Sequence, residues 1–166
     1  MRTWAFVIGI ASVAVFLSCA QPRALDESDF VVVQANGRVK LALSEPISEV
    51  LVELGQPLST KVRKKSGQEP PYMQHTFKGL VVGYYENDKK VTLLRITGPE
   101  FTTSRGVSVG ATLEQVRKAY GPTKDEWPTV VQYQLKDDKS KLGLSYRASF
   151  WMDGNVVNGI DINRAP

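Results

Sequence analysis

Apolar residues recur at helical spacing in the segment VGATLEQVRKAYGPT, which runs from Val109 to Thr123. Three of them stand at positions i, i+3 and i+7 and would share one helix face: Leu113, Val116 and Tyr120. Thr112 and Gln115 have the spacing of a capping box, and Gly121 is a typical residue at a helix C-terminus. The pattern therefore predicts a short helix between Thr112 and Gly121.

A second segment has the same order of apolar positions, glycine and proline. The sequence LSEPISEVLVELGQP, Leu43 to Pro57, aligns with the first segment at a shift of 66 positions, so that Val50 falls on Val116. The same shift aligns Gly83–Thr97 with Ser149–Asn163 without a gap. Two blocks that share one offset predict an internal duplication.

The runs that follow each predicted helix alternate between apolar and polar residues, which is typical of β-strands. VVQYQL and KLGLSYRASFWM precede a returning strand NVVNGIDI, and Asp153-Gly154 favours the tight turn between the last two. In the first half, YMQHTF, GLVVGYY and KVTLLRIT take these places. The chain is predicted to be an α+β protein of two tandem repeats, each a helix plus a three-stranded antiparallel meander, with the helices on one face of a shared sheet.

The predicted boundaries follow from this pattern. Residues 31–98 form the first repeat, with an additional N-terminal strand or hairpin that turns at Asn36-Gly37, and residues 99–166 form the second. The hairpin is expected to cover an edge of the sheet. Ser59 to Met73 is predicted to be a long loop, and Gly98 to Gly106 a short connection between the repeats.

The run Phe150, Trp151, Met152 divides between two sheet faces, because neighbouring side chains of a strand point in opposite directions. Tyr84 and Tyr85 divide in the same way, so one aromatic residue of each pair should lie under a helix and the other on the opposite face. That face is predicted to be open and to bind a protein partner, although loops that cover it are the alternative. The predicted partner-binding residues are Trp151, Tyr85, Tyr133 and Tyr146.

The first 18 residues have the composition of a secretory signal: a cation at Arg2 and then an apolar run from Trp4 to Leu17. That run is shorter than the roughly 20 residues that a membrane-spanning helix needs. The sequence FLSC, which ends at Cys19, resembles the lipobox of bacterial lipoproteins, with Phe16 in place of the usual Leu, Val or Ile.

The lipobox resemblance implies export, acylation of Cys19 and attachment to a membrane through the N-terminal lipid. Residues 19–30 are then the lipidated N-terminus and a flexible polar tether. The expected location is the bacterial cell envelope, either periplasmic or at the outer surface. The outer membrane is favoured if the envelope has two membranes.

The chain has few residues of the types that catalysis and metal binding most often require. His75 is the only histidine and Cys19 the only cysteine, so zinc sites and Cys/His nucleophiles lack partners, and neither metal nor cofactor is predicted. Asp153 and Asp161 could form a carboxylate pair, but a turn and an alternating strand explain them as well. The protein is therefore not predicted to be an enzyme, and His75 is predicted to be a strand side chain.

The overall charge is modest, with a formal net charge of +4, and 42% of the residues are hydrophobic, as in ordinary globular proteins. Basic residues cluster at Lys61, Arg63, Lys64 and Lys65, either as part of a solvated loop or as a contact for anionic lipid or an acidic partner. A basic face interleaved with aromatic residues is missing from the sequence, so nucleic acid is not an expected partner.

The stretch GVSVGATLEQVRKAYGP, with the later stretch DGNVVNGIDI, resembles the tandem helix-plus-sheet repeat of β-lactamase-inhibitor proteins and the single unit of BamE (SmpA/OmlA) lipoproteins. The resemblance covers about residues 39–163. It implies a non-catalytic module that binds another protein through an open sheet face. The alternative is a structural or assembly lipoprotein of an envelope complex without a discrete target.

Overall fold

The computed structural model describes residues 23–63, 70–136 and 145–165. Within these ranges no helix is long and apolar enough to cross a membrane. The predicted signal sequence, Cys19, Lys64 and Lys65 lie outside the described residues.

The described residues form short helices and many antiparallel strands. In chain order, these are a 3-10 helix Glu27–Phe30, β1 Val32–Gln34, β2 Lys40–Leu41, α1 Ile47–Leu54, β3 Ser59–Arg63, β4 Tyr72–Phe77, β5 Leu80–Tyr85, β6 Val91–Ile96, β7 Phe101–Thr103, α2 Leu113–Tyr120, β8 Glu126–Trp127, β9 Val130–Lys136, β10 Ser145–Asp153 and β11 Val156–Ala165.

Eight of these strands form one large antiparallel sheet in the order β3-β4-β5-β6-β11-β10-β9-β8. Its two halves meet where β6 pairs with β11, and Arg95 lies directly opposite Asp161 in that pairing. These two residues are 66 positions apart, the offset seen in the sequence. The centre of the sheet therefore joins two strands that occupy matching places in the two halves of the chain. The duplication itself stays a prediction.

The predicted fold, two tandem units of one helix and three strands, is wrong. The described chain is mostly β, and each helix precedes four strands that belong to one eight-stranded sheet. The strands of the large sheet that the prediction missed are β3 and β8, which are its two edges. All five residues of β3 are exposed and β8 has only two residues, so neither shows the alternation that marks a half-buried strand. The predicted loop over residues 59–73 therefore begins and ends in strand.

The predicted N-terminal hairpin is confirmed, with β1 and β2 antiparallel and Gly37 at φ +73° in the turn. It does not cover an edge of the large sheet. Instead β1 pairs on its other side with β7, which gives a separate three-stranded sheet. Because β7 lies within residues 98–106, the prediction of a simple connection there is wrong. A three-residue strand is too short for periodicity to reveal it.

Both helices have the ends that the sequence predicts. Thr112 and Gln115 form the reciprocal capping box of α2, and α1 follows Pro46. Gly55 and Gly121 end the helices with φ of +77° and +88°, a conformation that favours glycine. The buried residues of both helices belong to one hydrophobic core, together with those of the small sheet and of one face of the large sheet.

The N-terminal part of the described chain is packed rather than free. Phe30 is buried and lies 5.5 Å from the ring of Tyr146 in β10. Asp29 is buried as well and is paired with Arg105, which also donates to the backbone oxygen of Arg23. The prediction of a flexible tether up to residue 30 therefore fails for residues 23–30, because the 3-10 helix contributes to the core.

Candidate functional site

The large sheet has one covered face and one open face, and strand alternation assigns each residue to one of them. Every buried apolar residue that the sheet contributes to the core is on the same face as Phe150, which packs against Tyr120 of α2. The opposite side, here called the open face, contributes none of its residues to that core. Trp151 and Asp161 lie on it, since they alternate with Phe150 and Ile160.

A polar row crosses the centre of the open face. Gln132, Ser149, Asp161 and Arg95 are successive cross-strand neighbours on β9, β10, β11 and β6. Arg95 donates from Nε and Nη2 to the two carboxylate oxygens of Asp161 at 2.6 and 2.7 Å. Gln132 Nε2 lies 3.1 Å from Ser149 Oγ. This row holds the middle of the face in one arrangement.

Asp161 orients its neighbours on the open face. It is buried, yet Trp151 Nε1 donates to its Oδ2 at 3.1 Å, so the carboxylate orients both an indole and a guanidinium. Its hydrogen bonds raise the pKa of Arg95 above the usual range, although the side chain of Arg95 is 44% exposed. Arg95 is therefore a permanent cation that is held in place and still accessible.

Aromatic side chains flank this row at two opposite corners. At one corner, Trp127 and Trp151 face the same way, because each pairs directly with Val130. At the other, Tyr72 and Tyr85 pair across β4 and β5 with ring centroids 5.1 Å apart. The exposed fractions are 50% for Trp127, 41% for Trp151 and 37% for Tyr85.

Gly83 leaves room for the ring of Tyr72 to lie across the sheet at the second aromatic corner. A Cβ atom at Gly83 would be 2.1 Å from the hydroxyl oxygen of Tyr72 and 3.2 Å from Cβ of Leu93. Tyr72 thus crosses the strand at the only residue type that leaves room for its ring. Burial there raises the pKa of Tyr72.

Two of the four predicted partner-binding residues are on the wrong face. Tyr133 pairs with Ala148, and Tyr146 is two positions from Ala148 on the same strand. Both therefore share the covered face with Ala148. The Tyr133 hydroxyl donates to the backbone oxygen of Gly121 at 2.6 Å, and Tyr146 packs on Phe30. Trp151 and Tyr85 are on the open face. Tyr146 is four positions from Phe150 on one predicted strand, so alternation in the sequence already places it on the face of Phe150, whereas the face of Tyr133 depends on how β9 pairs with β10.

The structure describes two of the four residues in the predicted basic cluster. Lys61 and Arg63 lie on β3 opposite Gln74 and Tyr72, which places both on the open face, whereas Lys64 and Lys65 lie outside the described residues. Arg147 was missed, although its spacing from Trp151 puts it on the same face of β10. Arg95, Tyr72 and Trp127 were missed as well, because their proximity depends on how the two halves pair.

His75 lies in β4 on the covered face, as expected for a strand side chain. Its Nδ1 is 2.8 Å from the Thr60 hydroxyl and its Nε2 is 3.0 Å from the Tyr84 hydroxyl. Burial lowers the pKa of His75. Both ring nitrogens are therefore engaged within the fold, and the ring is held in its neutral form.

The pKa of His75 predicts a loss of stability in mild acid. An unfolded histidine binds a proton near pH ~6.5, whereas folded His75 does so only at lower pH. The free energy of unfolding should fall as pH drops from about 7 through that window, by at most about 1.4 kcal/mol per pH unit. Denaturant titrations of the wild type and His75→Gln should show this slope only in the wild type. An equal slope in both would contradict the assignment.

A cavity of about 370 Å³ on the covered side also contains perturbed side chains, among them Tyr120 and Tyr133. Burial raises the pKa of Tyr133 to about 12 and that of Tyr120 above its usual range. Both hydroxyls therefore stay protonated at neutral pH, and Tyr133 uses its proton to bond Gly121. Among the described residues, no three of His, Cys, Asp and Glu are grouped so that they could hold a metal ion.

Comparison with known proteins gives little to add to this geometry. No family model and no curated protein matches the chain. A solved structure with a partly similar fold is that of an extracellular protein containing an SCP domain from Bacillus anthracis str. Ames. The likeness has a TM-score of 0.49 at 13% identity and covers 87% of this chain and 48% of the other. The chain thus spans about half the length of that protein, and the likeness indicates no shared activity.

Proposed function

We propose that this is an exported, lipid-anchored protein of the bacterial cell envelope that binds another protein, without catalysis, through the open face of its large sheet. The observation that carries the proposal is the combination of exposed aromatic corners with a fixed centre. Trp151 and Tyr85 project from a face whose middle is organised by Asp161 and Arg95. Tyr, Trp and Arg are the residues that dominate binding energy at protein interfaces.

Rigidity supports the same proposal. Trp151 is hydrogen-bonded to Asp161, and Tyr72 lies against Gly83, so these rings lose little freedom when a partner binds. A surface that is ordered before binding retains more of its contact energy as affinity. The alternation of polar and aromatic side chains also keeps the open face soluble when it is unoccupied.

The place where the N-terminal chain joins the folded domain supports an accessible open face. Arg105 holds the backbone oxygens of Arg23 and Ala24, and the following 3-10 helix packs on the covered side of β10. A lipid on Cys19, which lies four residues before Arg23, would be within about 14 Å of that point. The anchor would then attach the domain by its covered side and leave the open face for a partner.

Site-specific photo-crosslinking in the cells that make the protein tests the proposal. A benzophenone side chain at Tyr85 or Trp127 is expected to give one defined protein adduct, whereas the same group at Val52 of α1 should give none. Val52 is the matched control because it is 86% exposed and belongs to a helix on the covered side. Adducts from all three positions, or from Val52 alone, would favour the alternative of an assembly protein without a discrete target.

A substitution completes the experiment. Trp151→Ala removes an exposed anchor next to the Trp127 position and is expected to reduce the adduct at Trp127 at least tenfold, since aromatic anchors that dominate an interface contribute about 2 kcal/mol or more. Circular dichroism of the same variant checks that the fold is retained. An unchanged adduct in a folded Trp151→Ala protein would remove the open face from the proposal.

A further inference from the structure

We infer that the partner presents an acidic protein surface to the open face, an inference that rests on the proposed function and specifies its partner. The charges on this face are unbalanced. Among the strand residues whose side chains the structure describes, alternation places four cations on it, namely Lys61, Arg63, Arg95 and Arg147. Only two acids of the described strands share it, Asp161 in the centre and Asp153 at the turn that ends β10.

Asp161 neutralises Arg95 and none of the other three cations. It is buried beneath the face, and both carboxylate oxygens are occupied by Arg95, with Trp151 sharing one of them. Lys61, Arg63 and Arg147 form no ion pair with any other residue of the described ranges. The net charge that an approaching molecule meets is therefore positive at β3 and β10.

Arg95 is suited to bind a carboxylate. A guanidinium has five N–H donors, and Asp161 occupies two of its nitrogens, which leaves Nη1 for an incoming group. The bidentate pair with Asp161 fixes the plane of the guanidinium, and its side chain remains 44% exposed. A carboxylate from a partner would meet an oriented cationic donor between the two aromatic corners, and hydrogen bonds to a charged donor are stronger than those between neutral groups.

The helix α1, which lies on the covered side, is acidic. That helix carries Glu49 and Glu53 and no cation, and Glu45 precedes it. A basic open face would steer an acidic partner toward the sheet before contact. The covered side, which receives the N-terminal chain, would face the membrane, so a protein is favoured over lipid headgroups as the occupant of the open face.

Matched charge variants of the full chain test this inference through the Trp127 photo-crosslink. K61Q/R63Q removes two cations of the open face, whereas K118Q/K124Q removes two exposed cations on and just after α2. The two variants have the same net charge. The adduct yield is expected to fall about three- to tenfold in K61Q/R63Q and to stay unchanged in K118Q/K124Q.

The outcomes separate the inference from the function on which it rests. An adduct of equal yield in the parent and both variants would leave protein binding intact and overturn the acidic partner. No adduct in the parent would count against the proposed function itself. Cys19→Ala protein mixed with phosphatidylglycerol vesicles provides the remaining comparison: vesicle binding that K61Q/R63Q abolishes would identify a membrane as the occupant and overturn the inference, whereas no such binding supports it.

Discussion

Replacing Asp29 with Asn is expected to lower the free energy of unfolding by about 3–5 kcal/mol, because it leaves a buried arginine without its counter-charge. Arg105 donates to Asp29 Oδ1 and Oδ2 at 2.7 Å each, and both side chains are almost completely inaccessible. The same guanidinium also bonds the backbone oxygen of Ala119 at the end of α2. Denaturant unfolding of the full chain, followed by circular dichroism, measures the loss.

An exposed ion pair provides the control for this prediction. Glu126→Gln removes the partner of Arg117 at the surface, where the two side chains are 30% and 50% exposed, and should change the free energy of unfolding by less than about 1 kcal/mol. Equal, small losses for Asp29→Asn and Glu126→Gln would show that the N-terminal 3-10 helix does not contribute to the stability of the fold.

Replacing Phe150 with Ala is expected to cost about 3–5 kcal/mol, as for other fully buried aromatic residues. Phe150 is buried between the helix and the sheet, with ring centroids 5.1 Å from Tyr120 and 5.9 Å from Tyr133. Its removal would leave a cavity where α2 meets β10, and a helix of eight residues depends on such packing for its stability.

The neighbouring residue is the matched control for Phe150. Trp151→Ala removes a larger side chain, but one on the open face, and should cost no more than about 2 kcal/mol. The two variants, compared by thermal and denaturant unfolding, test the assignment of the faces directly. A greater loss of stability for Trp151→Ala than for Phe150→Ala would reverse the covered and open sides.

Local features of the fold could be predicted because short-range chemistry determines them. The capping box of Thr112 and Gln115, the glycine that ends each helix and the turn at Gly37 depend on residues within a few positions of one another. The division of Phe150 and Trp151 between two faces has the same basis. Strand alternation requires this division whatever the rest of the molecule does.

The edges of the sheet could not be predicted by the same means. β3 is exposed at every position and polar at all but Val62, and its only sheet partner is β4. A strand in this position buries neither face, so its sequence resembles that of a loop. The small sheet was hidden for a related reason, since β1 and β7 are about 70 residues apart and each has three residues.

The sequence by itself determined where the helices begin and end and that Trp151 and Phe150 face opposite ways. It also showed the few residues available for catalysis, with one histidine and one cysteine in the chain. Only the tertiary structure decided that four strands follow each helix, that Tyr133 is on the covered face, and that Arg95 meets Asp161. The physical reason is range: caps and alternation act between neighbours, whereas the open face is built by strands that pair across 66 residues of chain.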